Sequence, residues 1–94
     1  VEAAKRELAE ETGYESKVWK QVYSAPSSPG LSSEIVVYYQ TANARQKAAG
    51  GGVEGEAITT HAIPLRSIRR WLRTRMADGV YVDPKVYVAL TFLR

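Results

Sequence analysis

Arg6-Glu7-Leu8-Ala9-Glu10-Glu11-Thr12-Gly13-Tyr14 is the stretch on which the reading of this 94-residue chain turns. Ala, Lys, Arg, Glu and Leu dominate residues 2–12, so the segment favours helix, and Gly13 stands where a left-handed C-terminal cap belongs. Val1, Ala4 and Leu8 recur at helical spacing as an apolar stripe that faces a core. Helical geometry then places Glu7, Glu10 and Glu11 at i, i+3 and i+4, within one turn and on one face. Carboxylates so close repel one another. A solvated acidic face with an Arg6–Glu10 pair accommodates them; so does a divalent cation, and hard ions such as Mg²⁺ or Mn²⁺ prefer oxygen ligands.

Outward from this helix the chain alternates strand and loop. Ser16–Tyr23 is rich in β-branched and aromatic residues and reads as a strand giving way at Ser24-Ala-Pro-Ser-Ser-Pro-Gly30. Glu34–Thr41 is the strongest strand signal; its run Ile35–Tyr39 is apolar on both faces, as in a central strand with both faces covered. Ala42–Gly55, with Gly50-Gly51-Gly52 inside it, predicts a mobile surface loop. Ala57–Ile63 alternates loosely before Pro64 and suggests another strand. Leu65, Ile68, Leu72 and Met76 then mark a helix that Gly79 ends, with Trp71 beside the stripe. Asp83-Pro84 is a helix start leading into Val86, Ala89, Leu90 and Leu93. Helices and strands together make the fold class mixed α/β, and three strands are too few for a sheet covered on both faces. The chain opens on Val-Glu-Ala-Ala-Lys with a helical pattern already running and no capping side chain before it. It is therefore expected to be the C-terminal portion of one domain whose N-terminal strands lie elsewhere.

Composition narrows the partners. No cysteine is present, which excludes disulfides and cysteine-based zinc sites. No apolar run approaches the ~20 residues a membrane span needs, and the default compartment is the cytoplasm. The net charge of +3 raises nucleic acid as a partner, but Arg66, Arg69, Arg70, Arg73 and Arg75 fit the wet face of a helix and no aromatic interleaving accompanies them. Neither nucleic acid nor membrane is expected. His61, the single histidine, reads as structural, and Asp83 as a cap rather than a ligand.

Position by position, Arg6–Tyr14 resembles the second half of the box of the Nudix hydrolase family, Gly-x5-Glu-x7-Arg-Glu-U-x-Glu-Glu-x-Gly-U with U a bulky apolar residue. Six fixed positions match, and Tyr14 departs mildly from the usual aliphatic residue. The leading glycine and first glutamate of the box would lie upstream of Val1. What the resemblance implies is a partial Nudix fold, an α/β/α sandwich around a mixed sheet. It implies Mg²⁺ or Mn²⁺ held by Glu7 and Glu11, with Glu10 close by, and Arg6 orienting Glu7. Downstream, Ser28-Pro29-Gly30, its proline sixteen residues past Gly13, and Glu34 resemble the branch that cleaves ADP-ribose and other nucleoside diphosphate sugars, where they rim the substrate site. Glu54 and Glu56 stand where that branch places a loop glutamate acting as general base, with glycines permitting loop closure; their plain alternative is two solvated side chains. The implied activity is hydrolysis of the pyrophosphate bond of ADP-ribose or a related sugar nucleotide by a homodimeric enzyme. A Nudix-fold module that binds such a ligand without cleaving it is the alternative.

Overall fold

Helix α1 covers Glu2–Thr12 and ends as its composition requires: Gly13 takes φ +76° and its amide donates to the Ala9 carbonyl. The Thr12 hydroxyl donates back to the Leu8 carbonyl and accepts the Tyr14 amide, so the chain leaves the helix along a defined path. That exit leads into a short strand, β1 (Tyr14–Glu15), and then into β2 (Val18–Pro26). Strand β2 returns antiparallel as β3 (Ile35–Ala42), from Val18 opposite Ala42 to Pro26 opposite Ile35, with a bulge between Gln21 and Tyr23. β2 runs three residues further than the composition predicts. Pro26 ends it, where the missing N–H costs least.

The surface loop expected after β3 is present and contains one short strand. Arg45–Gln46 form β4, antiparallel to β1 with Tyr14 opposite Gln46 and Glu15 opposite Arg45. Lys47 and Ala48 then donate their amides to the Gly13 carbonyl at 2.7 and 3.2 Å. Trp19 anchors the same region: its indole N–H donates to the Ser16 carbonyl and its ring meets Tyr39 edge-on at 6.2 Å.

The chain divides into two compact units, Val1–Thr60 and a second from His61 onward, and residues 1–93 are described by the computed structural model. In the second unit a 3-10 turn at Leu65–Ser67 feeds α2 (Ile68–Ala77), and α3 covers Pro84–Leu90. Gly79 takes φ +90° just past α2. Asp83 caps α3, its carboxylate accepting the Lys85 amide at 2.9 Å. Leu72 is the core of the stripe, only 4% exposed, whereas Leu65 and Met76 are exposed. Trp71 is half-buried between the His61 ring, 5.0 Å away, and the Arg75 guanidinium, 5.6 Å above it.

Two sequence expectations fail. Ala57–Ile63 forms no strand: among the described residues it has no ladder partner, and its backbone contact is the Ile58 amide on the Gly51 carbonyl. β3 is not covered on both faces, since Ile35 is 56% and Val37 41% exposed. The physical reason is the same for both. Among the described residues each sheet has two antiparallel strands, too small a platform to be covered on both faces, and no third strand pairs with residues 57–63. The architecture is mixed α/β with small antiparallel sheets.

Candidate functional site

Glu7, Glu10 and Glu11 lie on one turn of α1 and all three are exposed. Arg6 sits across from Glu10 with Nε 3.8 Å from its carboxylate, the i, i+4 pair the spacing predicts. Both partners are well exposed, so the pair contributes about 0.3 kcal/mol. Glu7 and Glu11 make no ion pair among the described residues.

What the sequence could not show is where the Gly-rich loop goes. The Gly51 amide donates to the Glu11 carbonyl at 2.8 Å and the Gly52 amide to the Glu10 carbonyl at 2.9 Å. Orphan carbonyls at the end of α1 are thus satisfied by the loop that carries Glu54 and Glu56. The approach is close enough to demand glycine on both sides. A Cβ on Gly13 would collide with the Ala48 carbonyl, and one on Gly50 would stand 2.7 Å from the Glu11 carbonyl oxygen. Thr60 adds a hydroxyl bond to that same carbonyl at 3.3 Å. Two carboxylate-bearing segments, far apart in sequence, therefore share one locale.

Within the loop the two glutamates differ. Glu56 folds back: its amide donates to the Val53 carbonyl and its carboxylate accepts the Val53 amide at 2.8 Å. Glu54 is exposed at the turn between them. Among the described residues no three His, Cys, Asp or Glu side chains converge on a point that could hold a metal ion. The donor chemistry still suits a hard divalent cation, because α1 offers exposed carboxylate oxygens at adjoining positions and no soft ligand competes.

Ser28, Pro29 and Gly30 form the tip joining β2 to β3. The Leu31 amide donates to the Ser28 carbonyl at 3.0 Å, with Pro29 second and Gly30 third at φ +82°, the pattern of a type II turn. Glu34 closes the tip: its carbonyl accepts the Ser27 amide, and its own amide donates to the Ser32 hydroxyl. These groups form a fixed, exposed rim at the far end of the hairpin. His61 lies against Trp71 and takes no place in this set.

A further feature had no sequence signal. A groove of about 730 Å³ runs between α1 and the residues of β1, β2 and β4, with Ala9 and Trp19 among its lining and Lys5, Lys17, Arg45 and Lys47 around it. These cations are scattered over forty residues of sequence, which is why composition pointed to the arginines of 66–75 instead.

A helix of clustered carboxylates with a glutamate-bearing loop hydrogen-bonded to its end is the candidate site, and it is acidic. The chain is similar to curated proteins named GDP-mannose pyrophosphatase: those of Klebsiella pneumoniae subsp. pneumoniae, 30% identical over 96% of this chain and 44% of the relative, and of an Enterobacter species, 30% identical over 96% and 46%. The Escherichia coli protein of that name is 28% identical over 96% of this chain and 46% of its own. This chain therefore spans about half the length of the curated relatives it matches. No family model matches the chain, and no solved structure does. Among the described residues no helix is long and apolar enough to cross a membrane.

Proposed function

We propose that this chain carries the catalytic half-site of a Nudix-type hydrolase that cleaves the pyrophosphate bond of a nucleoside diphosphate sugar. One observation carries the proposal: the loop bearing Glu54 and Glu56 is hydrogen-bonded onto the end of the helix bearing Glu7, Glu10 and Glu11. Carboxylates that repel at helical spacing and are then joined by a second acidic segment suit the binding of a cation better than a solvated surface. The relatives' names point to the same reaction class.

In this reading Glu7 and Glu11 hold Mg²⁺ or Mn²⁺, with Glu10 adjoining and held by Arg6. When bound, the metal lowers the pKa of the attacking water and offsets the charge of the diphosphate. Glu54 accepts the proton of that water, a task that asks a carboxylate to come within hydrogen-bond reach on a loop able to approach. Glu56 shapes the turn from which Glu54 projects. Ser28, Pro29, Gly30 and Glu34 stand at the far end of the nine-residue β2, and this chain does not bring them to these carboxylates. The first box glutamate has to come from residues outside the 94, so the chain alone is expected to turn over weakly or not at all.

GDP-mannose, from the relatives' names, and ADP-ribose, from the Ser28-Pro29-Gly30 spacing, are the two substrates to compare. Release of nucleoside monophosphate and sugar phosphate is measured with Mg²⁺ and with EDTA, in a polypeptide that supplies the upstream half of the box. Metal-dependent release of either product pair supports the reading; binding of the sugar nucleotide with no release supports a sensing module instead.

A further inference from the structure

We infer that the groove between α1 and the β1–β4 pair is a binding site for a nucleotide, separate from the carboxylate face of the same helix. Helix geometry separates the two. Glu2, Lys5, Arg6 and Ala9 of α1 line the groove, whereas Glu7 and Glu11 do not. At about 730 Å³ the groove falls within the range of sites that take small organic ligands, roughly 300–1,000 Å³.

Its charge is unbalanced. Of the lining residues, Lys5 is paired with Glu2 at 3.5 Å and Arg6 with Glu10. Lys17, Arg45 and Lys47 make no ion pair among the described residues, and Glu15, across the ladder from Arg45, is the single remaining acid in the lining. Three unpaired cations around one concavity make a positive field that attracts an anion, and phosphate oxygens are the acceptors such side chains bind best. The lining offers more than charge. Trp19, half-buried, is one of the lining residues, its indole oriented by the bond to the Ser16 carbonyl and by Tyr39, and Ala9 and Val18 line the groove as well. An aromatic ring and aliphatic side chains in the same lining as the cations match a planar ring joined to a phosphate chain.

The site is also built in advance of any ligand. The amides of Lys47 and Ala48 are tied to the Gly13 carbonyl, and the Ser16 hydroxyl is tied to the Ala42 carbonyl. Asn43, another lining residue, is held at φ +56° in the turn between β3 and β4. The backbone that carries Arg45 and Lys47 is thereby fixed relative to α1, so binding has to order side chains and not the loop.

The test is an NMR titration of the ¹⁵N-labelled chain with ADP in EDTA, with inorganic pyrophosphate and inorganic phosphate as ring-free probes. No turnover is read and no metal is present, so failure of the hydrolase reading leaves the result intact. The expected result is a saturable shift of the Trp19 indole N–H and of the Lys17, Arg45 and Lys47 amides. Lys17→Gln with Lys47→Gln should raise the ADP Kd ten-fold or more with the amide dispersion retained, while Lys47→Arg keeps binding within about three-fold. Pyrophosphate should bind at least five-fold more weakly than ADP. Unsaturable shifts, shifts confined to Arg66–Arg75, an unchanged Kd in the double variant, or pyrophosphate binding as tightly as ADP would each overturn the proposal.

Discussion

Gly13 and Gly50 show at the scale of single residues why the candidate site is built on close backbone approach. Both have positive φ, and a Cβ on either would run into the backbone of the other's segment. Gly30 has the same sign of φ, +82°, but open space around it. Gly30→Ala should therefore cost only the left-handed penalty, about 1 kcal/mol, while Gly13→Ala adds a collision with the Ala48 carbonyl. Urea unfolding of both variants checks this; equal losses would mean that the 47–50 segment moves away at no cost. The two loop glutamates separate in the same way. On the proposed mechanism Glu54→Gln lowers kcat by about 10²–10⁴-fold, the usual worth of a general base. Glu56→Gln keeps an oxygen to accept the Val53 amide and should lose under ten-fold. Steady-state kinetics of the two variants decides the assignment, and the reverse order would transfer the role to Glu56.

Among elements, helix ends were the most legible in the sequence, because capping is local chemistry. Gly13 and the Asp83-Pro84 pair were readable from residue type alone, and both cap where expected. The Asp83 carboxyl is held below its ordinary value of 3.8, first by the Lys85 amide and then by the Lys85 side chain. A depressed acid contributes stability that is complete above its unfolded pKa and is lost as pH falls through the folded one. α3 should accordingly keep its amide shifts from pH 7 to 5 and fray only below about pH 4, whereas in Asp83→Ala it is frayed at every pH. Amide shifts of Lys85–Tyr87 against pH test the sign directly. In α2, Leu72→Ala removes the single side chain of the stripe that is buried and should cost about 2–5 kcal/mol, read as a lowered Tm; Met76→Ala, exposed, should cost far less. What was not legible is long-range. The Ala57–Ile63 strand was misread, and the β4 pairing inside the expected 42–55 loop was missed, because pairing partners, not propensity, decided both. The meeting of Glu54's loop with α1 belongs to the same class: the motif named the residues, and the backbone bonds of Gly51 and Gly52 brought their segments together.

For the molecule as a whole, β3 poses the question that its sequence raised. Its run Ile35–Tyr39 is apolar on both faces, a composition suited to a strand covered on each side, yet in this chain it belongs to a two-stranded hairpin with Ile35 and Val37 exposed. An isolated two-stranded hairpin is marginal in water, and this one has the bulge at Gln21–Tyr23 to weaken its ladder further. The curated relatives are about twice as long as this chain, so they have residues that this chain does not supply. The consequence is measurable by where a polar substitution costs energy. In the 94-residue chain Ile35→Thr and Val37→Thr remove side chains that water already reaches, and each should cost under about 0.5 kcal/mol. In a polypeptide that adds the upstream half of the fold, the same substitutions place a hydroxyl against a covering layer and should cost about 1–3 kcal/mol each. Urea unfolding of the four variants and of their two parents gives both differences. A cost that stays below about 0.5 kcal/mol in the longer polypeptide would mean that β3 keeps an open face there too, and that its apolar run is a docking surface for another chain and not the centre of a completed sheet.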